Sequence, residues 1–202
     1  MAIDRKKIIT DLSKLKVTGD EQGLVPGFNV LVNQLPADFW NNFSDKLMHS
    51  VPTELVDVAH SLLYNAANEC GYNTGFGIIT SEEWNAAVGP MVEKIPEDVL
   101  HGAYAVFTAW GWANSEIVEL IPGEKMVVRA YDYYESDTVK YGKSNMFTGI
   151  MLEAVSSAFM DLAYSKPYPE GRGKFICKQV KGIEHGDEYG EFLVTLNPDY
   201  NE

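Results

Sequence analysis

Few side chains in this sequence could do acid–base or metal chemistry, and those few are far apart. His60 and His101 lie in segments with helical spacing, where each could hold a polar group of a ligand or serve as a hydrogen-bonded core residue. Cys70 and Cys177 form no CxxC pair, so we expect two buried, reduced thiols and no disulfide. The sequence also lacks the GxSxG and HExxH motifs. Catalytic residues therefore stay unassigned, and the question of enzymatic activity stays open.

The glycine-rich stretch GYNTGFG, residues 71–77, could be mistaken for a phosphate-binding loop. It follows a helical pattern, not a strand, and it lacks the Lys-Ser or Lys-Thr pair of such loops. We expect Gly71 to end the preceding helix and the stretch to form a loop at the edge of a pocket.

Aromatic residues are concentrated where a predicted helix leads into a predicted hairpin. Phe107, Trp110 and Trp112 lie close together, and Tyr131 and Tyr133 follow on the hairpin. Such residues either fill the core or form the wall of a pocket for an apolar or aromatic ligand, and both interpretations stay open. If they form a pocket, the candidate ligand-binding residues are His101, Phe107, Trp110, Trp112, Arg129, Tyr131, Tyr133, Phe147 and Met151.

Arg129 is the permanently charged residue among these candidates. Strand alternation places Arg129, Tyr131 and Tyr133 on one face, so an inward-facing arginine could pair with a ligand carboxylate. The alternative is an arginine on the protein surface. Met151 belongs to a predicted helix with several methionines, which suit either an adaptable pocket or an irregular core.

The elements that must position these residues follow from the hydrophobic periodicity. After an N-terminal helix and connection, four helical segments follow, the first of them from Pro36 to Met48. A hairpin then turns at Pro122-Gly123, a helix spans Asn145 to Tyr164, and a second hairpin closes the chain. This order predicts an α+β fold, in which helices pack on an antiparallel sheet built from two hairpins separated by a helix.

The closing hairpin contains two glycines where strands usually pack side chains. In VKGIEHGDEYGEFLV, Gly182 and Gly190 lie one on each strand, on either side of a Gly186-Asp187 turn. This ending, together with AWGWANSEIVEL and the helix start NMFTGIMLEAV, resembles the 4-vinyl reductase domain family over residues 50 to 196. The family binds small molecules, and its fold is similar to that of TRAPP-complex core subunits, which enclose an apolar channel.

The resemblance implies a metal site that this chain has lost. In the family, cysteines stand at the positions of Gly182 and Gly190, often with another at the start of the preceding helix, and they look like zinc ligands. Here that helix start reads Lys143-Ser144-Asn145, and glycine offers no side-chain donor. We therefore expect no zinc and no cofactor. His185 lies in the turn and is expected to be solvated and not a metal ligand.

Composition limits the partners and the location of the chain. Its 202 residues carry a net charge of −13, which disfavours nucleic acid and acidic membrane surfaces as partners. No apolar run reaches the ~20 residues of a membrane span, and the N-terminus has no secretory signal, so we expect a cytoplasmic protein. Residues 1–35 are predicted as an N-terminal helix and connection, and residues 36–202 as a single domain.

Three functions are compatible with these observations. The leading hypothesis is binding of a small hydrophobic or aromatic ligand by a stand-alone, zinc-free domain with a carrier, sensor or accessory role. The second is an enzyme acting on such a ligand, as a reductase or a tetrapyrrole-related protein; it would need an external electron donor because no flavin or nicotinamide fingerprint is present. The third is a protein–protein interaction module. The fold relatives imply a homodimer.

Overall fold

The computed structural model of the chain describes residues 3–15 and 18–200. Within these residues the helices are α1 (Arg5–Leu12), α2 (Ala37–Ser50), α3 (Val56–Ile79), α4 (Glu82–Ala87), α5 (Glu97–Ala109), α6 (Thr138–Tyr141) and α7 (Ile150–Tyr164). The strands are β1 (Pro26–Gly27), β2 (Val30–Leu31), β3 (Ala113–Ile121), β4 (Lys125–Tyr133), β5 (Phe175–Lys181) and β6 (Gly190–Leu196).

The four long strands form one antiparallel sheet in the order β3-β4-β6-β5. The first hairpin turns at Pro122-Gly123, where Gly123 has a φ of +74° that suits glycine. β5 and β6 form the second hairpin, and α7 separates the two hairpins in the chain. The predicted α+β fold is therefore confirmed.

One face of the sheet is covered by helices. α5 packs on β3, and α7 packs on β5 and β6. Met126, Val128 and Ala130 alternate along β4 and are completely buried. α3 packs on α7, and α1 packs on α5 through Ile8, which is completely buried. The core thus lies between the sheet and its helical layer.

The prediction that Gly71 ends a helix and that residues 71–77 form a loop is wrong, because α3 continues through this stretch. A Cβ atom at Gly71 would lie 2.9 Å from Val155 Cγ2, and one at Gly75 would lie 2.8 Å from Leu162 Cδ1. Glycine is needed here because α7 approaches α3 more closely than a side chain would allow. This close packing offsets the ~1 kcal/mol that each glycine costs in helix propensity.

The start of α7 is also set by tertiary contacts. The helix begins later than the predicted Asn145. Just before it, the backbone N–H of Thr148 donates to Glu184 Oε1 at 2.9 Å, and that of Gly149 donates to Gln179 Oε1 at 3.0 Å. These backbone groups bind side chains of the second hairpin, so they are not available for a further turn of helix.

The predicted division of the chain at residue 36 stays a prediction. The ends of the two predicted segments, residues 1–2 and 201–202, lie outside the described residues.

None of the described helices is long and apolar enough to cross a membrane.

Candidate functional site

Two cavities lie beside the first turn of α7. The first is a small apolar cavity between α3, α5 and α7, with a volume of about 30 Å³. We call it the aromatic pocket, and its wall consists of Cys70, Gly71, Thr74, Ile78, Phe107, Trp110, Trp112, Met151, Val155 and Phe159.

Stacked rings build the wall of the aromatic pocket. Phe107 stacks on Trp112 with ring centroids 5.6 Å apart, and it meets Phe159 edge to face at 6.2 Å. Trp112 in turn meets Tyr134 edge to face at 5.9 Å. These contacts fix the orientation of each ring. The volume is about that of one water molecule, whereas a cavity of ~150 Å³ holds benzene, so a ring enters only after a wall side chain moves.

The second cavity is larger and more polar. It lies between α2 and the chain from Glu135 to Ile150, and its volume of about 390 Å³ is within the ~300–1,000 Å³ range of ligand pockets. We call it the α2 cavity. Its charged and aromatic wall residues are Asp45, His49, Glu135, Asp137, Tyr141, Lys143, Phe147 and Glu184.

Glu135 connects the α2 cavity to the start of α7. Its carboxyl group accepts hydrogen bonds from the backbone N–H groups of Met151 at 2.9 Å and Leu152 at 3.3 Å. Burial nevertheless raises the pKa of Glu135 to about 8. This carboxyl group is therefore mostly protonated near neutral pH.

A buried polar cluster fills the space between the two hairpin glycines. The Glu184 carboxyl group accepts hydrogen bonds from the Tyr133 hydroxyl and from Gln179 Nε2 at 2.8 Å. A Cβ atom at Gly182 would lie 2.7 Å from the Glu184 carboxyl carbon, and one at Gly190 would lie 2.8 Å from Tyr133 Cε1. The glycines are required because they make room for these two side chains.

The acidic and sulfur-bearing side chains do not converge on a metal-binding geometry. Among the described residues, no group of three or more His, Cys, Asp or Glu side chains could hold a metal ion.

Burial, and the neighbouring carboxyl group of Glu184, raise the pKa of Tyr133, so its hydroxyl remains a hydrogen-bond donor to Glu184.

The structure brings together four of the predicted ligand-binding residues. Phe107, Trp110, Trp112 and Met151 all line the aromatic pocket. Phe147 lines the α2 cavity, where its ring stacks on His185 with centroids 4.3 Å apart. The other four predicted residues, His101, Arg129, Tyr131 and Tyr133, line neither cavity.

Arg129 and Tyr131 lie on the open face of the sheet. Arg129 Nη2 pairs with Glu191 Oε2 at 3.1 Å, and its guanidinium lies 4.1 Å from the centre of the Tyr189 ring. The prediction that Arg129, Tyr131 and Tyr133 share one face of the strand is wrong, because Tyr133 is buried on the opposite side. The β3–β4 register leaves Tyr131 without a partner, and this bulge turns Tyr133 into the core.

Neither candidate histidine lines the aromatic pocket or the α2 cavity. Burial lowers the pKa of His101 on α5. His60 Nε2 lies 3.5 Å from Glu153 Oε2, and the hydrogen bond to Glu153 raises the pKa of His60. Glu153 Oε1 also accepts a hydrogen bond from the Gln179 backbone N–H at 2.7 Å. These contacts connect helices to the sheet.

Sequence reasoning missed the α3 side of the aromatic pocket and the whole α2 cavity. Cys70 was placed at the end of the predicted helix as a buried thiol, and the prediction of burial is wrong because Cys70 is exposed. Thr74 and Ile78 were overlooked because their stretch was predicted to leave the helix. Their four-residue spacing was the signal that could have found them. No sequence pattern indicated that Glu135 lines a cavity, because its role depends on a contact with α7.

Comparisons with known proteins find a similar fold but no similar sequence. No protein-family model matches the sequence, and no curated protein matches it. The structure is similar to a crystal structure of the phenol-responsive sensory domain of the transcription activator PoxR with phenol, at a TM-score of 0.71 and 10% identity. The match covers 100% of this chain and 94% of that chain.

A second structure is more distant. A trafficking protein particle complex subunit 3 from Naegleria fowleri, covalently bound to palmitic acid, matches at a TM-score of 0.47 and 12% identity, covering 82% of this chain and 98% of that chain. At 10% sequence identity, the match to the PoxR sensory domain shows a similarity of fold alone. The chain therefore shares, over its whole length, the fold of the PoxR sensory domain.

Proposed function

We propose that this chain binds a small apolar or aromatic molecule and acts as a carrier, sensor or accessory protein of the 4-vinyl reductase type. The observation that carries the proposal is the aromatic pocket, where Phe107, Trp112 and Phe159 converge on an apolar cavity. The full-length fold match to a sensory domain crystallised with phenol makes phenol the first probe to use.

The ligand is placed in the aromatic pocket because an apolar ring gains most from apolar walls. In the α2 cavity, an apolar ring would face the carboxyl groups of Glu135 and Glu184, and only the hydroxyl group of phenol could form a hydrogen bond with them. The aromatic pocket must widen to admit a ring. We expect it to open at Trp110, which is half-buried, and Cys70, which is exposed.

The composition of the pocket favours binding over catalysis. Among the described residues, the wall of the aromatic pocket contains neither a histidine nor a carboxylate that could transfer a proton. Besides the indole N–H groups of Trp110 and Trp112, its polar groups belong to Cys70 and Thr74, whose Sγ and Oγ1 atoms lie 3.8 Å apart. An enzymatic role would have to use groups outside this wall.

Cys70 provides the test. It lines the aromatic pocket and is exposed, whereas Cys177 is buried and burial raises the pKa of its thiol. Iodoacetamide should therefore modify Cys70 first. Phenol bound in the pocket should slow this alkylation in a saturable way, measured by intact-protein mass spectrometry over time. An unchanged alkylation rate at millimolar phenol would contradict the proposal.

Two variants locate the bound ligand. Val155→Ala enlarges the aromatic pocket, so phenol should protect Cys70 at severalfold lower concentration than in the wild type. Phe147→Ala changes the α2 cavity and should leave the protection unchanged. Loss of protection in Phe147→Ala, without an effect of Val155→Ala, would place the ligand in the α2 cavity.

A further inference from the structure

The α2 cavity has the size of a ligand site, yet binding of an apolar ring in the aromatic pocket leaves it without a role. Its volume of about 390 Å³ is well above the ~150 Å³ that hold benzene, so a ring with a short side chain has room in it. The aromatic pocket, by contrast, must widen before it admits a ring. The walls of the α2 cavity therefore indicate what it can hold.

One part of the wall is apolar. Met48 on α2 lines the cavity, together with Met146, Phe147 and Ile150 just before and at the start of α7. The Phe147 ring is held by stacking on His185, with centroids 4.3 Å apart. Methionine side chains adapt to irregular shapes. This part of the wall suits a small apolar or aromatic body.

Another part of the wall carries two neighbouring carboxyl groups, those of Glu135 and Glu184. Thr148 connects the two residues, because its backbone N–H donates to Glu184 Oε1 at 2.9 Å and its hydroxyl donates to the Glu135 carbonyl at 2.8 Å. Glu184 is 2% exposed and lies near enough to raise the pKa of Glu135. Neighbouring carboxylates shielded from water repel each other, so a positive charge between them is favourable.

The two carboxyl groups also keep acceptor capacity for a donor. An ionised carboxylate has about four lone-pair sites. Among the described residues, Met151 and Leu152 each donate one hydrogen bond to Glu135, and Glu184 accepts three. The sites that are left number about three, which matches the three N–H donors of an ammonium group.

The basic side chains of the wall are directed elsewhere. Lys143 lines the cavity, but its Nζ lies over the turn of the second hairpin, 2.9 Å from the position that a Cβ atom at Gly186 would take. On α2, His49 Nδ1 lies 3.2 Å from Asp45 Oδ1. The carboxyl groups of Glu135 and Glu184 are therefore open to a cation that enters from outside.

We propose that the α2 cavity binds a small organic cation, namely a primary ammonium group on a short apolar or aromatic body. The ammonium lies between the carboxylates of Glu135 and Glu184, and the body packs on Phe147 and the methionines of the wall. This site is separate from the aromatic pocket, so the chain would hold two ligands of different chemistry at two places.

Binding of the ammonium should release a proton. The pKa of Glu135 is about 8 because its carboxyl group is buried and because Glu153 on α7 and Glu184 lie nearby. The remaining charged groups around the cavity are Asp45, His49, Asp137 and Lys143. An ammonium favours the ionised form of Glu135, so the proton leaves as the amine binds. From pH 7 to pH 8.5, the association constant should therefore rise by about eightfold.

Isothermal titration calorimetry of the full chain at pH 8 tests the proposal with three probes of similar size. Phenethylamine carries the ammonium, phenethyl alcohol is its neutral analogue, and hydrocinnamate is its anionic analogue. The amine should bind about tenfold or more tightly than the alcohol, and the anion should not bind. At pH 7, titrations in two buffers of different ionisation enthalpy should show the release of about one proton per amine bound.

Three variants locate the bound amine. Glu135→Gln keeps the size of the side chain but removes its charge, so it should weaken amine binding by about tenfold or more and abolish the proton release. Glu188→Gln makes the same change of charge at an exposed position outside the cavity and should bind the amine like the wild type. Val155→Ala changes the aromatic pocket and should also leave amine binding unchanged.

Three results would overturn the proposal: no amine binding at millimolar concentration, equal affinities for amine and alcohol, or a Glu135→Gln variant that binds the amine like the wild type. If Glu135→Gln does not fold, the wild type decides, because amine binding without proton release would place the ligand away from Glu135. The phenol experiment reports on the aromatic pocket and uses a different ligand, so each proposal can fail alone.

Discussion

At the scale of single residues, two glycines of the second hairpin determine where neighbouring side chains can lie. Gly182 and Gly190 leave space that the side chains of Glu184 and Tyr133 fill. Glu184 is 2% exposed, and it satisfies donors from three separate parts of the chain. A hydrogen-bonded cluster of this kind ties the start of α7 to the sheet, next to both cavities.

Removing the Glu184 carboxyl group should therefore be costly. Glu184→Ala leaves the buried Tyr133 hydroxyl and the half-buried Thr148 backbone N–H without their acceptor, and it should lower the free energy of unfolding by about 3 kcal/mol. Urea unfolding followed by tryptophan fluorescence measures this change. Glu188→Ala, at an exposed position in the same hairpin, is the control and should cost less than about 0.5 kcal/mol. Equal midpoints for the two variants would contradict this role of Glu184.

At the scale of elements, the helical layer protects the β5 edge of the sheet from pairing with a further strand. β5 is an edge strand, and three of its backbone N–H groups donate to side chains from helices. Phe175 donates to Asp161 Oδ1 at 3.0 Å, Cys177 to the Tyr64 hydroxyl at 3.1 Å, and Gln179 to Glu153 Oε1 at 2.7 Å. These bonds occupy donors that an added strand would need, so this edge is closed to strand addition.

The close contact of α3 with α7 leads to a second prediction. In Gly71→Ala, the added methyl group would lie 3.1 Å from Val155 Cα, so the backbones must separate. We expect a loss of about 2 kcal/mol in the free energy of unfolding, even though alanine favours a helix. Thermal unfolding by circular dichroism checks this. At Gly89, the nearest atom to an added Cβ is 3.8 Å away, so Gly89→Ala should be close to neutral. A melting temperature of Gly71→Ala at or above the wild type would refute the packing argument.

At the scale of the whole molecule, buried acids should make stability depend on pH. The pKa of Glu135 rises from an ordinary 4.5 to about 8 in the folded chain because its carboxyl group is buried. Folding therefore favours the protonated form, and the stability that this provides is lost as the pH rises through 8. Burial also raises the pKa of Asp161, to about 6, so its contribution is already lost below neutral pH.

From pH 6 to pH 8.5, the free energy of unfolding should fall by about 2 kcal/mol. Urea unfolding at several pH values measures the slope. In Glu135→Gln the carboxyl group is replaced by an amide that does not ionise in this range. Its single oxygen can still accept the hydrogen bond from Met151, whereas the hydrogen bond from Leu152 to the second oxygen is lost at every pH. This variant should lose most of the slope, and an unchanged slope would assign the pH dependence to other groups.

The sequence by itself determined the kinds of element, their order and the α+β class, because periodicity and turn residues act over a few neighbouring positions. It also indicated the aromatic side of the pocket, since Phe107, Trp110 and Trp112 lie within one short stretch. Only the tertiary structure decided the roles of Gly71 and Tyr133. Gly71 continues a helix because α7 lies against it, and Tyr133 turns inward because the β3–β4 pairing leaves Tyr131 unpaired. Both outcomes depend on contacts between segments that are far apart in the chain, and such contacts override local preference.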